Sequence, residues 1–556
     1  MNFQLLARIL SRVAFLIGGT MVFSLPWAFP FLGATDSFET AGFTGLVGSI
    51  AISAVVGIVL WYLGRNTDGK LYRKEAMAVV GLSWVLATIL GAMPFLISGT
   101  HLGEGRPMGI ADAVFESQSG FSTTGATVIT DLEKPELVPR SILFWRSSTH
   151  FLGGLGIIVL FVAILGQGSA GKALMRSEMP GPSKEGSQAR MQHTAWTFAA
   201  IYVGLTAVLT LLLKVEGLTW FDSLCHSFGT MATGGFSTYN DSVGAFANLP
   251  YISDAQAIWI EATIIVFMVL AGTNFTLLYF VLLRQPGKLF GDLEWRVFIS
   301  VILIGTVVIV LFGCYHGDFK SWVDGLRHGL FQIVSVMTTT GYGTTADFDA
   351  WNSVGRGILF LLMFVGGCAG STGGGLKVIR HILFLKVLWL EIERAYHPSV
   401  VRPLRISGQP VEDPELRRNI LVYFGLVLVI FVFSWMALVA MEPDETWRAT
   451  AAVNGQASET AMTSVSNLQG TENRDQAKAV ESARDRSIEH KLIDSASGIA
   501  ATLNNIGPGL GVVGAKQNYS LFSPAAKLLF TFLMMLGRLE IFVIIVLLVP
   551  GFWRAH

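Results

Sequence analysis

Long apolar runs, separated by short polar segments, dominate the hydrophobic pattern of the chain. A helix that crosses a bilayer needs about 20 consecutive apolar residues. Runs of this kind lie near 13–34, 44–64, 77–98, 141–166, 195–213, 255–283, 297–314, 354–390, 418–441 and 525–550. The pattern predicts an all-α protein that crosses a membrane many times.

Four polar segments that contain glycine interrupt this pattern. They end at Gly125, Gly234, Gly341 and Gly507, and each follows a stretch too short to span a bilayer and precedes one that can span it. Non-helical backbone at membrane depth is tolerated only where protein buries it or where it lines a watery cavity. Four such breaks therefore predict one cavity lined by four loops, which is the plan of an ion-selective pore.

The same order of elements recurs around each segment, as expected for an internal repeat. An outer helix is followed by a short re-entrant helix, the polar loop and an inner helix. We predict an N-terminal transmembrane helix pair and four pseudo-symmetric pore repeats around one central pore. Their expected bounds are 1–75 for the helix pair and 76–190, 191–291, 292–417 and 418–556 for the repeats, the last with a polar periplasmic insertion at 442–493.

An aspartate recurs before the loop glycines. Asp112, Asp222 and Asp494 stand at nearly the same distance from the glycine that follows, and in the third repeat His328 takes this place, with Asp324 one turn upstream. Aspartate is a favoured helix N-cap. We therefore expect these carboxylates to cap the short helices rather than to bind the ion.

Lysine and arginine collect on one side of the predicted spans. Clusters lie at 8–12, 65–74, 172–190, 284–296 and 394–418, whereas 35–43, 235–253 and 342–353 contain neither residue. Because basic loops favour the cytoplasm, we expect both termini to be cytoplasmic and every polar loop to enter from the outer face.

Composition narrows the class of protein. Hydrophobic residues make up 52% of the 556 residues and charged residues 14%, where a soluble domain carries about a quarter charged residues. This apolar composition makes membrane lipid the expected surrounding. The 39 basic and 39 acidic residues leave no basic excess that could bind nucleic acid. The 10 histidines show no HExxH spacing or paired arrangement, and an intramembrane enzyme would need such a set. We predict that the protein is not an enzyme.

The polar loops have the chemistry of a cation filter. Backbone carbonyls can replace the hydration shell of a monovalent cation without adding negative charge that would hold it too tightly, and glycine reaches the required backbone angles at least cost. Beside the four loop glycines, the carbonyls expected to face the ion belong to Thr123, Thr124, Ala232, Thr233, Thr339, Thr340, Asn505 and Ile506. The alternative is that these small residues only allow close helix contact.

These loops resemble those of a known superfamily. The segments are Thr-Thr-Gly-Ala-Thr (123–127), Met-Ala-Thr-Gly-Gly-Phe-Ser (231–237), Met-Thr-Thr-Thr-Gly-Tyr-Gly (337–343) and Asn-Asn-Ile-Gly-Pro-Gly (504–509). They are similar to the pore loops of the TrkH/KtrB/HKT cation transporters, over nearly the whole chain. Glycine at all four filter positions goes with potassium in that superfamily, so the resemblance implies K⁺ as the transported ion. It also implies a homodimer in the bacterial inner membrane that docks on a cytoplasmic nucleotide-binding regulatory ring of the TrkA type.

A glycine-rich stretch interrupts the apolar run 354–390. Six of the ten residues from Gly366 to Gly375 are glycine, and each costs roughly 1 kcal/mol against alanine inside a helix, so we expect the helix to unwind there. A nucleotide-phosphate loop is the alternative, but its pattern is not met, because Lys377 does not adjoin a glycine and no Ser or Thr follows it. By resemblance this is the intramembrane gating loop, and its expected members are Gly370, Ser371, Thr372, Gly373, Gly374, Gly375 and Lys377.

Arg538 lies in the middle of the last predicted span. An ionisable residue at that depth is costly and is a functional candidate by default. Carbonyls of the glycine-rich break, or Glu540, are its expected partners; the alternative is a structural arginine satisfied by helix ends. Arg146 and His150, in the first inner helix, are expected to be structural polar groups.

Two transport mechanisms remain open at this point. Channel-like potassium flux is favoured because the loops carry no Asp, Glu or His, which a proton- or sodium-coupled symporter usually needs near its binding site.

Overall fold

The computed structural model describes residues 1–33, 37–67, 72–165, 188–397, 405–406, 409–410, 414–444, 446–447, 491–539 and 541–554. Within these ranges, seven helices are long and apolar enough to cross a membrane. The parts of these helices that could span the membrane are Phe3–Ala28, Thr40–Gly64, Lys74–Ile97, Trp196–Val215, Asp254–Gly272, Leu293–His316 and Arg418–Met441. The all-α, multi-span prediction is confirmed.

The N-terminal helix pair precedes the repeating part of the chain. Its first helix, Phe3–Met21, continues as a 3-10 helix over Val22–Ala28 and a short turn of helix at Pro30–Gly33, and its second helix is Thr40–Gly64. The first helix begins well before the predicted residue 13, because the Asn2 side chain caps it by accepting from the Leu5 N–H. Arg8 and Arg12 lower the local hydropathy without ending the helix.

The order of outer helix, short helix, loop and inner helix recurs four times, as predicted. The four outer helices are Arg73–Ile97, Gln188–Val215, Leu293–His316 and Pro414–Met441. The four short helices, called pore helices below, are Ile110–Phe121, Trp220–Met231, Trp322–Met337 and 491–503. Small elements join them: the two-stranded pairs His101–Gly103 with Arg106–Pro107 and Arg405–Ile406 with Gln409–Pro410, the helix Gly287–Gly291, and 3-10 turns at Ser242–Asn248, Phe348–Ala350, Gly511–Val513 and Tyr519–Leu521.

Three of the four inner helices are interrupted. The exception is the first inner helix, which is continuous over Arg140–Leu165. The others consist of Asp254–Gly272 and Phe275–Leu282, of Ser353–Leu362 and Val378–Tyr396, and of Pro524–Arg538 and Ile541–Leu548, after which the helix Pro550–Trp553 follows. The unwinding predicted within 354–390 is confirmed, whereas the continuous spans expected at 255–283 and 525–550 were wrong.

The second inner helix breaks for a local reason. The Asn274 side chain accepts a hydrogen bond from the Thr276 N–H at 2.8 Å and so caps a new helix. Hydropathy did not reveal this break because the two residues at the break, Thr273 and Asn274, are followed at once by further apolar residues.

The aspartates near the starts of the first three pore helices are not N-caps. The cap positions belong to Gly109, Thr219 and Ser321. Asp112 lies in the first turn and its carboxylate accepts from the Gly109 N–H at 3.0 Å. Asp222 accepts from the hydroxyl of its cap, Thr219, at 2.6 Å. A carboxylate in the first turn interacts favourably with the positive end of the helix dipole. These aspartates therefore stabilise the start of the helix, but the prediction that they occupy the N-cap position was wrong.

The pore helices lie inside the molecule, and the fourth outer helix lies at its periphery. Phe115, Glu116, Phe331 and Ile333, on two of the pore helices, have no exposed surface. By contrast, only 11% of the most apolar window of Arg418–Met441 is buried within the chain. The predicted insertion 442–493 lies largely outside the described residues, and so do 398–404, 407–408 and 411–413 of the basic segment before the fourth outer helix.

Candidate ion-conducting site

Two positions after the last residue of each pore helix stands a residue with an unusual backbone conformation. Thr123, Thr233, Thr339 and Asn505 adopt left-handed φ angles of 52°, 53°, 59° and 55°. Such angles are rare for any residue with a side chain and are strained for β-branched threonine, with a cost on the order of 1–3 kcal/mol that surrounding structure must offset. One strained angle at the same place in all four loops indicates a shared backbone design.

A left-handed glycine follows two residues later in each loop. The φ angles are 82° at Gly125, 76° at Gly235, 79° at Gly341 and 97° at Gly507. The equivalence predicted for Gly234 was therefore wrong by one position. Thr-Gly-Gly offers two candidate glycines, and the sequence alone could not select the second.

The backbone hydrogen bonds confirm the corrected correspondence. One N–H in each loop donates to a carbonyl near the end of its own pore helix: Thr124 to Ser119 at 2.9 Å, Gly234 to Gly229 at 2.7 Å, Thr340 to Ser335 at 2.8 Å and Ile506 to Ala501 at 2.8 Å. Gly234 thus corresponds to Thr124, Thr340 and Ile506. Ala232 is the C-cap of its pore helix and corresponds to Ser122 and Thr338, which cap theirs.

The four loops touch one another in a closed cycle. A Cβ added at Gly125 would collide with the carbonyl oxygen of Gly234, and one at Gly235 with that of Thr340. One at Gly341 would collide with the carbonyl of Ile506, and one at Gly507 with that of Thr124. Each loop glycine therefore admits the carbonyl of the next loop, and the cycle closes from the fourth loop back to the first.

A ring of backbone carbonyls has a definite chemistry. It offers neutral oxygen ligands that can replace the water around a cation, and the pore helices direct their partly negative C-terminal ends toward the same place. The side chains of Thr123, Thr233, Thr339 and Asn505 are fully buried, so the loops are held by surrounding protein.

The unwound segment of the third inner helix lies against the break in the second. The Cys368 N–H donates to the Gly272 carbonyl at 2.9 Å, and the Thr372 N–H to the Ala271 carbonyl at 3.2 Å. In return the Phe275 N–H donates to the Gly370 carbonyl at 3.0 Å. Because the second inner helix stops at Gly272, its last carbonyls are available to hold the segment.

The same segment also reaches the filter loops. The Gly374 N–H donates to Thr339 Oγ1 at 2.8 Å, and a Cβ at Gly375 would lie 3.0 Å from the carbonyl oxygen of Asn504. Contact with residues of the third and fourth loops places this glycine-rich segment directly beside the predicted filter.

Arg538 ties the segment to the first repeat. Its guanidinium donates to the Thr372 carbonyl at 2.7 Å and to the Gly153 carbonyl at 3.1 Å. Carbonyls of the glycine-rich break were the expected partners, and this expectation is confirmed; Glu540, the other candidate, lies outside the described residues. Lys377 donates to the Gly373 carbonyl within the segment.

Comparison with known proteins agrees with this architecture. The family model for TrkH, described as a cation transport protein, matches residues 45–446. The chain belongs to the TrkH family. It is 34% identical to the Trk system potassium uptake protein TrkH of Salmonella typhimurium and 33% identical to that of Escherichia coli K12, each over the whole of both chains. It also matches the crystal structure of the potassium transporter TrkH from Vibrio parahaemolyticus with a TM-score of 0.77 and 30% identity, over the whole of both chains. Membership in the TrkH family and the seven apolar helices identify a multi-pass membrane protein.

Sequence reasoning missed one anchor of this TrkH-family chain. Glu294, in the first turn of the third outer helix, is 7% exposed. Its Oε1 accepts from the Ala369 N–H at 2.7 Å and from the Ile379 N–H at 3.0 Å. One carboxylate oxygen thus holds both ends of the glycine-rich segment. An acidic residue at the edge of an apolar span was the available signal.

Proposed function

We propose that this chain is the membrane subunit of a Trk-type potassium uptake system and conducts K⁺ across the bacterial inner membrane through a gated, channel-like pore. The observation that carries the proposal is the closed cycle of four loops, in which strained left-handed residues at equivalent positions bring four carbonyls together. Strain of this kind marks a functional site when it recurs where surrounding structure holds it. The relatives named as potassium uptake proteins support potassium as the ion.

The filter is formed by three consecutive positions of each loop. With the corrected correspondence they are Thr123, Thr124 and Gly125, then Thr233, Gly234 and Gly235, then Thr339, Thr340 and Gly341, and finally Asn505, Ile506 and Gly507. Ala232 is no longer included, because it caps the pore helix. Neutral carbonyl ligands favour a monovalent cation that must bind and leave rapidly.

The gate is the segment Gly370, Ser371, Thr372, Gly373, Gly374 and Gly375, held by Lys377, Glu294 and Arg538. It lies against two filter loops and is anchored by a few polar contacts rather than by a hydrophobic core. A segment held in this way can move when those contacts are exchanged.

The remaining parts of the proposal rest on the charge pattern and the family. We propose that both termini are cytoplasmic, that the unit bounds are those given above, and that two copies associate on a cytoplasmic nucleotide-binding ring of the TrkA type.

A flux measurement tests the proposal. Purified protein is reconstituted in lipid vesicles with a K⁺ gradient, and ⁸⁶Rb⁺ uptake is followed at several pH values and with or without Na⁺. Channel-like conduction predicts uptake that follows the K⁺ electrochemical gradient alone. Uptake that requires an inward H⁺ or Na⁺ gradient would instead establish symport.

A further inference from the structure

A fully buried ion pair lies beside the junction of the first two filter loops. Glu116 is on the first pore helix and Arg146 on the first inner helix, and their side chains are 0% and 1% exposed. Arg146 Nε lies 2.6 Å from Glu116 Oε1. Burying two charges is costly, and apolar side chains of similar volume are often as stabilising. We therefore expect this pair to have a role other than stabilising the fold.

Glu116 holds the outer end of the first loop. Its Oε1 accepts from the Thr127 hydroxyl and its Oε2 from the Val128 N–H, both at 2.9 Å. These residues stand two and three positions after Gly125, so the carboxylate fixes the backbone as it leaves the filter.

Arg146 holds the second loop. Its Nη1 donates to the Ser237 carbonyl at 3.0 Å, and its guanidinium carbon lies 3.5 Å from the centre of the Phe236 ring. The imidazole of His150 is stacked on the same ring at 4.0 Å. Two groups so close to one ring centre cannot share a face, so Phe236 is clamped between them.

Neutral groups perform the equivalent task in the third and fourth loops. Gln332 stands at the place of Glu116, and with its amide oriented to satisfy both of its groups it accepts from the Thr344 N–H at 3.3 Å. In the fourth loop Ser497 Oγ accepts from the Leu510 N–H at 2.8 Å. Holding one loop therefore does not require a charge. Neutral groups also join other loops, as where Asn505 Nδ2 donates to Thr124 Oγ1 at 2.9 Å, whereas this charge pair joins the first and second loops.

We propose that the Glu116–Arg146 ion pair sets the spacing between the first and second loops and thereby determines how strongly the filter prefers K⁺ over Na⁺. The two side chains act as positioning residues, since the ion itself contacts carbonyls. The bonded path runs from Val128 through Glu116 and Arg146 to Ser237, beside the place where Gly125 meets the Gly234 carbonyl. This inference rests on the proposed potassium filter.

The test compares two ion pairs in the same protein. Glu116→Gln keeps the side-chain shape and removes the charge that orients Arg146. The matched control is Glu261→Gln. Arg327 donates two hydrogen bonds to the Glu261 carboxylate, at 2.6 and 2.8 Å, and the substitution removes the charge of that carboxylate. Arg327 lies in the first half of the third pore helix, away from the loop end.

The K⁺/Na⁺ permeability ratio is measured from reversal potentials under bi-ionic conditions. We expect Glu116→Gln to lower this ratio about tenfold, equivalent to about 1.4 kcal/mol of differential stabilisation, and Glu261→Gln to leave it unchanged. An unchanged ratio in folded Glu116→Gln protein, or an equal fall in the control, overturns the proposal.

A milder variant covers the case in which Glu116→Gln does not fold. Phe236→Leu removes the ring clamped by Arg146 and His150 but no charge, and we expect a smaller fall in the ratio; a ratio equal to that of the parent then overturns the proposal. Failure of the potassium filter itself looks different, because the unmodified protein would already show no preference for K⁺.

Discussion

Replacing Arg538 by glutamine gives the clearest perturbation of the gate. The guanidinium donates to the Thr372 carbonyl at 2.7 Å and to the Gly153 carbonyl at 3.1 Å, and these two bonds tie the glycine-rich segment to the first inner helix. A glutamine amide keeps the ability to donate and loses the charge. The variant therefore tests the charged contact separately from hydrogen bonding in general.

The size of the effect follows from these two bonds. A hydrogen bond to a charged group contributes about 1.5–3 kcal/mol and a neutral one about 0.5–1.5 kcal/mol. Glutamine can preserve one neutral bond, so Arg538→Gln should weaken the closed position by about 2–4 kcal/mol. Since 1.4 kcal/mol corresponds to a factor of ten, the ratio of open to closed gates should rise by about 30- to 1,000-fold until opening is complete.

The assay is ⁸⁶Rb⁺ uptake into vesicles that contain the pore subunit alone. We expect Arg538→Gln to raise basal uptake and to leave the K⁺/Na⁺ permeability ratio unchanged, because the filter loops are not touched. Arg538→Lys keeps the charge and loses the planar fork, so its uptake should lie between those of the parent and the glutamine variant. Equal uptake by all three folded proteins would show that Arg538 is a structural residue without a gating role.

Three further changes test the filter and the gate. Gly125→Ser should lower the K⁺/Na⁺ permeability ratio, because a side chain there collides with the Gly234 carbonyl and resists the φ of 82°; unchanged reversal potentials would contradict the filter. Glu294→Ala removes the acceptor of two N–H groups and should raise basal ⁸⁶Rb⁺ uptake by about tenfold or more, because even one charge-assisted hydrogen bond contributes about 1.5–3 kcal/mol. Glu294→Gln keeps the acceptor and should have a smaller effect. Equal uptake by the alanine variant and the parent would show that Glu294 does not hold the gate. Deleting several residues within 370–375 should raise uptake without a regulatory partner, and a folded deletion that conducts less than the parent would refute the gate.

The hydrophobic pattern was sufficient for the number of outer helices and for the repeating order of elements. It also located the glycine-rich break, because six glycines in ten residues cannot form a stable helix. The break after Gly272 was missed, since one capping side chain, that of Asn274, produces it inside an otherwise apolar run. Hydropathy averages over a turn or more of helix, whereas a cap acts through one hydrogen bond.

The candidate site could be located from sequence but not resolved to single residues. Gly234 and Gly235 are adjacent, and it takes the φ angle of 76° at Gly235 and the bond from the Gly234 N–H to the Gly229 carbonyl to distinguish the two. Arg538 was found because a charge inside an apolar span is conspicuous. The partner of Arg146 was not predicted, because Glu116 lies 30 residues away in sequence and no local pattern connects the two side chains.

The position of the bound ion is the most direct test of whether the four loops form the selectivity filter. Crystals grown in rubidium chloride allow Rb⁺, which substitutes for K⁺, to be placed by its anomalous scattering. We expect anomalous density at the centre of the loop cycle, coordinated by the carbonyl oxygens of Thr124, Gly234, Thr340 and Ile506, and weaker density there in crystals of Gly125→Ser. Ordered Rb⁺ elsewhere in the protein, with none between these four carbonyls, would contradict the claim that the loops form the selectivity filter.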